Sequence, residues 1–530
     1  MGRNPPPRPG GGERNHPDKE PTMRETSLNA ARRNRELSEL AEDDRVDLLV
    51  IGGGVTGAGV ALDAASRGLS VVLAEKHDLA FGTSRWSSKL VHGGLRYLAS
   101  GHVGLAHESA VERGILLRRT APHLTRPLPQ LVPLLPETDT PRAALVRAGF
   151  LAGDVLRLAA GTGSTCLPRS RRIGTVETLR MAPPVRHEGL RGGLLAWDGQ
   201  LVDDARLVTA IARTAAGHGA RVLTRCAAER VHGRGAVLHD RLGGQSVPVR
   251  ARAVVNATGV WADEIAPELT LRPSRGTHLV VSADSLPGLD AALTVPVPGT
   301  TNRFVFALPA DNGRIHIGLT DEEEPGSVPD VPEAAAHEVD FLLETINTAL
   351  TEPLRAADVL ATYSGLRPLL SGRDGSSADL SRDHAVLTGQ NGVVSVVGGK
   401  LTTYRRMAED AVDEAVRASG LDAGPCRTAR LPLVGAADRA RLSRVNAPRG
   451  LVARHGTEAP LVLDQAAGAP EGTEPVAEGT DVTLAELLFA VRHEGALDTD
   501  DLLDRRTRLG VVARDREAAL PAAREALRRG

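Results

Sequence analysis

The hexapeptide Gly52-Gly53-Gly54-Val55-Thr56-Gly57 sets glycines at its first, third and sixth positions, and Glu75 follows 23 residues after the first of them. Each residue type has a task there. Gly52 permits a tight turn, Gly54 lets backbone approach a pyrophosphate, and Gly57 lets a helix pack closely on a strand. The open N–H groups at the start of that helix, with their partial positive charge, suit phosphate oxygens. A carboxylate at Glu75 can accept bonds from a ribose hydroxyl. This is the pattern of a dinucleotide site.

Two later stretches favour FAD over NAD. Gly82-Thr83-Ser84 and Ser87-Ser88-Lys89 form a polar loop that can run beside the pyrophosphate and the flavin ring, where a plain NAD domain starts a helix. Far downstream, Gly398-Gly399-Lys400-Leu401-Thr402-Thr403 repeats the strand–glycine–helix arrangement. A second helix N-terminus there stabilises negative charge, such as that on a reduced flavin.

The elements that must position these residues are legible in the apolar pattern. Residues 46–51 read as a buried strand, 57–67 as a helix and 70–75 as a second strand. This βαβ opening implies a parallel sheet with a right-handed crossover. Asp203 and Asp204 precede a helical pattern through 215, with strands expected at 221–224 and 252–256. Alternation near 277–282, 303–308 and 314–318 predicts an antiparallel sheet. A further buried strand is expected at 393–397 and a helix at 401–417. Residues 1–44 read as a disordered or polar tail with a helical lead-in from 24, and Met23 is a candidate alternative start. Residues 45–414 carry the interleaved FAD-binding and substrate domains, and 415–530 a helical cap. In residues 141–160 apolar residues dominate, which leaves two readings open: an interfacial helix or one buried against the substrate domain.

Bulk composition excludes several classes. The chain's 530 residues suffice for two or three domains. Its 64 basic and 66 acidic side chains leave a net charge of −2, and only 2% of residues are aromatic, so nucleic acid is not an expected partner. Cys166, Cys226 and Cys426 lie far apart with no CxxC pair, which gives neither a disulfide framework nor a metal site and suits a reducing interior. No signal peptide or spanning segment is expected, so the protein reads as soluble or seated on a membrane surface.

Taken together, the motifs resemble the FAD-dependent glycerol-3-phosphate dehydrogenase family. The matching stretches are 47–75, 82–98 (GTSRWSSKLVHGGLRYL), 202–207 (VDDARL), 256–261 (NATGVW), 276–280 (GTHLV), 363–368 (YSGLRP) and 398–404 (GGKLTTY), in the family's order. Residues 490–510 look like its helical C-terminal domain. The resemblance implies an α/β architecture: a Rossmann-like FAD-binding domain, an interleaved antiparallel-sheet substrate domain and a C-terminal helical domain. It implies oxidation of glycerol 3-phosphate, electron transfer to a membrane quinone, and a cytoplasmic protein held peripherally on the inner face of the membrane. It is compatible with a homodimer.

Family positions also nominate site residues. Arg96, Arg367, Arg382 and Lys400 line the substrate pocket, where a small dianion needs fixed cations; the planar fork of arginine binds phosphate oxygens in pairs. His278 matches the family's substrate-side histidine and is the candidate base for the alcohol proton, the alternative being a structural histidine in a strand. His92 is expected to pack by the flavin, Gly259 to approach the cofactor, and Tyr97 to bond the phosphate or wall the pocket. Thr320 and Asp321 are further candidates to bracket the substrate. Rival readings are an oxidase returning electrons to oxygen, an amine or amino-acid oxidase, and a non-catalytic FAD-binding protein. The phosphate-directed cations argue against the last two.

Overall fold

The computed structural model describes residues 21–99, 101–138, 140–300, 303–370, 384–467 and 470–530. Two large sheets and a helical C-terminal region make up the architecture.

The first sheet is built on the strand Arg45–Ile51, whose run Val46 to Ile51 is apolar apart from Asp47. Both faces of this strand are covered, which is why its pattern is continuous and not alternating. Leu48 and Val50 point into one core with the helices Val55–Ser66, Asp204–Gly217 and Tyr404–Ser419. Leu49 and Ile51 point into the other, under the hairpin Cys226–His232/Gly235–Asp240. Along the sheet the strands run Ala385–Thr388, Val394–Val397, Ser246–Asn256, Arg45–Ile51, Val71–Ala74 and Arg221–Leu223. The inner pairs are parallel, as the βαβ opening requires.

Among the described residues the second sheet has ten strands and is antiparallel except where Ala292–Pro296 meets Thr125–Pro133. Its longest pairing joins Leu271–Ser282 to Val359–Leu370, setting His278 opposite Tyr363 and Ser274 opposite Arg367. The helix Ala336–Asn347 covers one side of this sheet. The third region packs Arg449–His455, Ala459–Asp464, Leu484–His493 and Ala513–Arg529 around cores of their own.

Three expectations are refined. The helix Tyr404–Ser419 crosses the anticipated boundary at 414/415, and Ala415 and Val416 pack in the same core as its first turns, so the helical region begins after it. Residues 22–44 are folded: Thr22 caps a turn, and the helix Ala30–Glu42 buries Arg33, Leu37 and Leu40 on one stripe. Residues 1–20 lie outside the described residues. The helix Thr140–Ala159 divides its faces, with Val146 and Phe150 packed on the substrate sheet while Leu145 (60% exposed), Leu151, Val155 (66%) and Leu158 face outward. Among the described residues no helix is long and apolar enough to cross a membrane.

Candidate functional site

The glycine turn after Arg45–Ile51 does what its spacing requires. Gly52 has φ +106°, and a β-carbon there would meet the Ala257 carbonyl oxygen at 2.6 Å. A β-carbon at Gly57 would lie 1.8 Å from the Gly52 oxygen, so only glycine lets the helix Val55–Ser66 sit against the turn. Gly54 differs. Its added β-carbon would approach only Ser84 Oγ, at 3.1 Å, and so would project into a cradle in front of the helix N-terminus. Ser84 Oγ accepts the first helical N–H, that of Val55, at 2.9 Å. Glu75 ends its strand with both oxygens engaged, accepting the N–H of Gly53 and of His77 at 2.6 Å each. Burial raises its pKa, and these two bonds work against that shift. Gly54→Val should lower FAD affinity about tenfold or more, since about 1.4 kcal/mol of lost phosphate contact suffices for that. Flavin content per chain after purification is the check, and full retention would contradict the cradle.

The polar loop is tied down at each residue. Thr83 Oγ1 donates to the Leu366 carbonyl at 2.6 Å. Asp204, fully buried at the start of its helix, accepts both the N–H (2.9 Å) and the hydroxyl (2.7 Å) of Ser87. Lys89 adopts φ +54° and sets its ammonium 3.4 Å from Asp204. Ser88 Oγ is 2.8 Å from His278 Nε2. His92 gives its N–H to Thr402 Oγ1 at 3.1 Å, joining this loop to the downstream Gly398-Gly399-Lys400 turn. The next residue, Gly93, donates to Asp198 at 3.0 Å. Burial alone would raise the Asp198 pKa, but Arg113 at 2.7 Å and His92 hold it down at about 2.

Gly398 and Gly399 have φ +78° and +70°, turning the chain from its strand into the short helical segment Leu401–Thr403. Thr402 is buried and Leu401 half-buried there. Lys400 Nζ stands 3.8 Å above the ring centre of Tyr97, a cation–π contact. Gly259 has φ +64° at the turn after Asn256, whose side chain accepts from Thr258 and donates to the Ala262 carbonyl.

On the second sheet His278 is 2% exposed and stacks on Tyr363, ring centres 4.7 Å apart and 9° from parallel. Gly318 lies across the strand, and a β-carbon there would come within 2.3 Å of the imidazole. Burial, reinforced by Lys89 and Arg367, lowers the His278 pKa to about 3, so the ring is neutral near pH 7. Its Nδ1 is buried and makes no hydrogen bond. Arg367 lies across Gly276, where a β-carbon would sit 2.2 Å from its terminal nitrogen. Two residues along a strand span about 7 Å, so guanidinium and imidazole share one face of the sheet. Arg367 donates to Ser274 Oγ (3.1 Å), Asp321 (3.2 Å) and the Thr320 carbonyl (3.3 Å). Thr320 and Asp321 therefore hold the arginine and the neighbouring strand.

The structure thus brings Ser88, His278 and Arg367 together, and Tyr97 with Lys400. Of Arg96 it describes only the backbone, within Leu95–Ala99, and Arg382 lies outside the described residues. Asp198, Asp204 and Tyr363 hold the site in ways sequence reasoning did not assign. Asp204 and Tyr363 sat inside recognised motifs, but Asp198 meets Gly93 across 105 residues and gave no local signal.

Comparison with known proteins shows the family to which the chain belongs. Residues 47–405 match the FAD dependent oxidoreductase family and 426–529 the C-terminal domain of alpha-glycerophosphate oxidase. The chain is 59% identical to glycerol-3-phosphate dehydrogenase 1 of Mycobacterium bovis, covering 95% of this chain and 99% of that one. It is 38% identical to glycerol-3-phosphate dehydrogenase of Mycobacterium leprae, over 88% and 82%. The structure of the glycerol-3-phosphate dehydrogenase from Bacillus halodurans complexed with FAD matches with a TM-score of 0.72 at 28% identity, over 94% of both chains. The Gly54 cradle, the helix N-terminus behind it and the acceptor at Glu75 fit FAD as the resident cofactor.

Proposed function

The chain belongs to the FAD-dependent glycerol-3-phosphate dehydrogenase family, and from that membership we propose that it oxidises sn-glycerol 3-phosphate to dihydroxyacetone phosphate and passes the electrons to a membrane quinone. The likeness over 95% of the chain to a protein named glycerol-3-phosphate dehydrogenase 1 supports the substrate and the oxidation. FAD, when bound, supplies the acceptor for the hydride from C2. The chain's own residues do the rest. Arg367 orients the dianion, together with Arg96, Arg382 and Lys400. The imidazole of His278 takes the alcohol proton as the C–H bond breaks. The stack on Tyr363 and the glycine at 318 fix the ring's plane, so its lone pair is aimed before substrate arrives. Glycerol 3-phosphate added without oxygen should bleach the flavin absorbance completely, and an unchanged spectrum would overturn the assignment.

A surface feature supports peripheral membrane association. The outward stripe Leu145, Leu151, Val155 and Leu158 is apolar along the helix, and the flanking segments expose Arg118, Arg119, Arg169, Arg171 and Arg172. Apolar burial with basic flanks suits anionic lipid. The enzyme should sediment with membranes and be released by carbonate. Retention after carbonate would demand an integral anchor. Activity indifferent to lipid, with peroxide as a product, would favour the oxidase.

A further inference from the structure

A cleft of about 90 Å³ lies between the second sheet and the C-terminal helices. His278 does not line it. Tyr363, which stacks on His278, forms part of its wall together with His316. Lys89 from the polar loop, Arg314 from the strand Arg314–Gly318 and Arg508 from the C-terminal region are among the six basic side chains that line it, beside the three carboxylates of Asp203, Asp311 and Asp515.

Lys89, Arg314 and Arg508 each have a carboxylate beside them, yet each keeps a buried nitrogen with no hydrogen-bond acceptor. Lys89 Nζ is 3.4 Å from Asp204, Arg508 Nε is 3.5 Å from Asp203, and Arg314 is paired with Asp515 through its terminal nitrogen. Lys89 Nζ, Arg508 Nε and Arg314 Nε are left over. Lys89 is 6% exposed and Arg314 9%. A buried N–H without an acceptor is costly, more so when charged, so three such groups on residues that line one cavity create a demand for oxygen lone pairs. Electrostatics point the same way. Burial lowers the Lys89 pKa, and after the opposing pull of Asp204 the nearby Arg508 lowers it further. Arg508 also lies 4.7 Å over the Trp86 ring, which covers a face of the guanidinium and leaves its edge for bonding. Two cations held close in a dry setting gain from an anion between them.

We propose that this cleft is a second binding site, distinct from the hydride-transfer site, for a compact doubly charged oxyanion of the phosphomonoester or sulfate type. Its ligand touches Lys89 and Tyr363, the two residues whose neighbours Ser88 and His278 form the candidate base pair. Occupancy therefore stiffens the polar loop from behind.

Selenate is the probe. Crystals of the FAD-loaded enzyme soaked in selenate should show an anomalous peak in the cleft within hydrogen-bond reach of Lys89 Nζ and Arg508 Nε. In solution, sulfate should raise the melting temperature of the Arg367→Ala enzyme above a chloride control of equal ionic strength, because that background removes the substrate-site arginine. Arg508→Lys keeps a charge beside Asp203 but has no Nε–H, and Arg314→Gln removes the second cation. Each should lose most of the sulfate-specific shift. The general stabilising action of sulfate through exclusion from the surface persists in every variant, so the difference between variants is the reading. An empty cleft in the anomalous map, or a sulfate shift equal in all variants, would overturn the proposal. If a variant loses FAD or stability on its own, the selenate map decides. Neither readout depends on turnover, so a failure of the dehydrogenase reading would be seen separately, in the flavin-bleaching experiment.

Discussion

Replacing Arg367 with Ala lowers kcat/KM for glycerol 3-phosphate by about 10²–10⁴-fold while FAD stays bound. The magnitude follows from two charge-assisted bonds from one guanidinium to a phosphate, each contributing about 1.5–3 kcal/mol. The guanidinium already lies flat across Gly276, held by Ser274, Asp321 and the Thr320 carbonyl, so little ordering remains when substrate arrives. Lys is a poor rescue, because a point charge reproduces neither the paired geometry nor these three bonds. The loss has two sources, the missing phosphate contacts and an Asp321 left without this partner, and a second substrate separates them. Glycerol lacks the phosphate and is a poor substrate of the unmutated enzyme. Its weak turnover should hardly respond to Arg367→Ala if the arginine serves the phosphate alone. Equal proportional losses on both substrates would show that the arginine supports the sheet or the flavin, and would remove it from the phosphate site.

His278→Asn should cut kcat by about 10²–10⁴-fold, the usual contribution of a positioned general base, with a much smaller change in KM. Asn preserves a polar group facing Ser88 and removes the basic nitrogen. The pH profile offers a sharper check. A histidine at its ordinary pKa would impose an acid limb on kcat/KM between about pH 6 and 7. Burial, Lys89 and Arg367 all disfavour the imidazolium here and hold the free-enzyme pKa at about 3. The base form is therefore fully populated above that value, and lowering the pH from 8 to 5 should not titrate His278 in the free enzyme. An acid limb near 6.5 that disappears in His278→Asn would show that the pocket is wetter than its geometry implies. A base of such low pKa is weak until substrate binds. The bound dianion then favours the imidazolium and raises the pKa toward the working range. Hence the expected signature is a limb in kcat that is lost in His278→Asn, while kcat/KM shows only the ionisation of the substrate phosphate at about pH 6.

The sequence by itself determined everything that depends on neighbours along the chain. Glycine at 52 and 57 dictates a turn that no other residue type tolerates, and the structure shows why in the 2.6 and 1.8 Å approaches that a β-carbon would make. The run at 46–51, apolar apart from Asp47, announced a buried strand, and the second glycine turn at 398–399 was equally local. The histidine and arginine were nominated by motif, since one side chain in a strand carries no mark of what faces it.

Only the tertiary structure decided which groups meet. Ser88 finds His278 across 190 residues, and Arg367 settles over Gly276 because the register of two long strands puts Ser274 opposite it. A shift of one residue would send every side chain of that strand to the other face. The segment 24–44 read as a polar lead-in with helical character, and the cover that Leu37 and Leu40 find on the first sheet and hairpin comes from residues distant in sequence. Asp198, Asp204 and the cations of the interdomain cleft became legible in the same way. A buried charge is tolerable only beside its partner, and sequence spacing does not encode a partner that arrives from another domain.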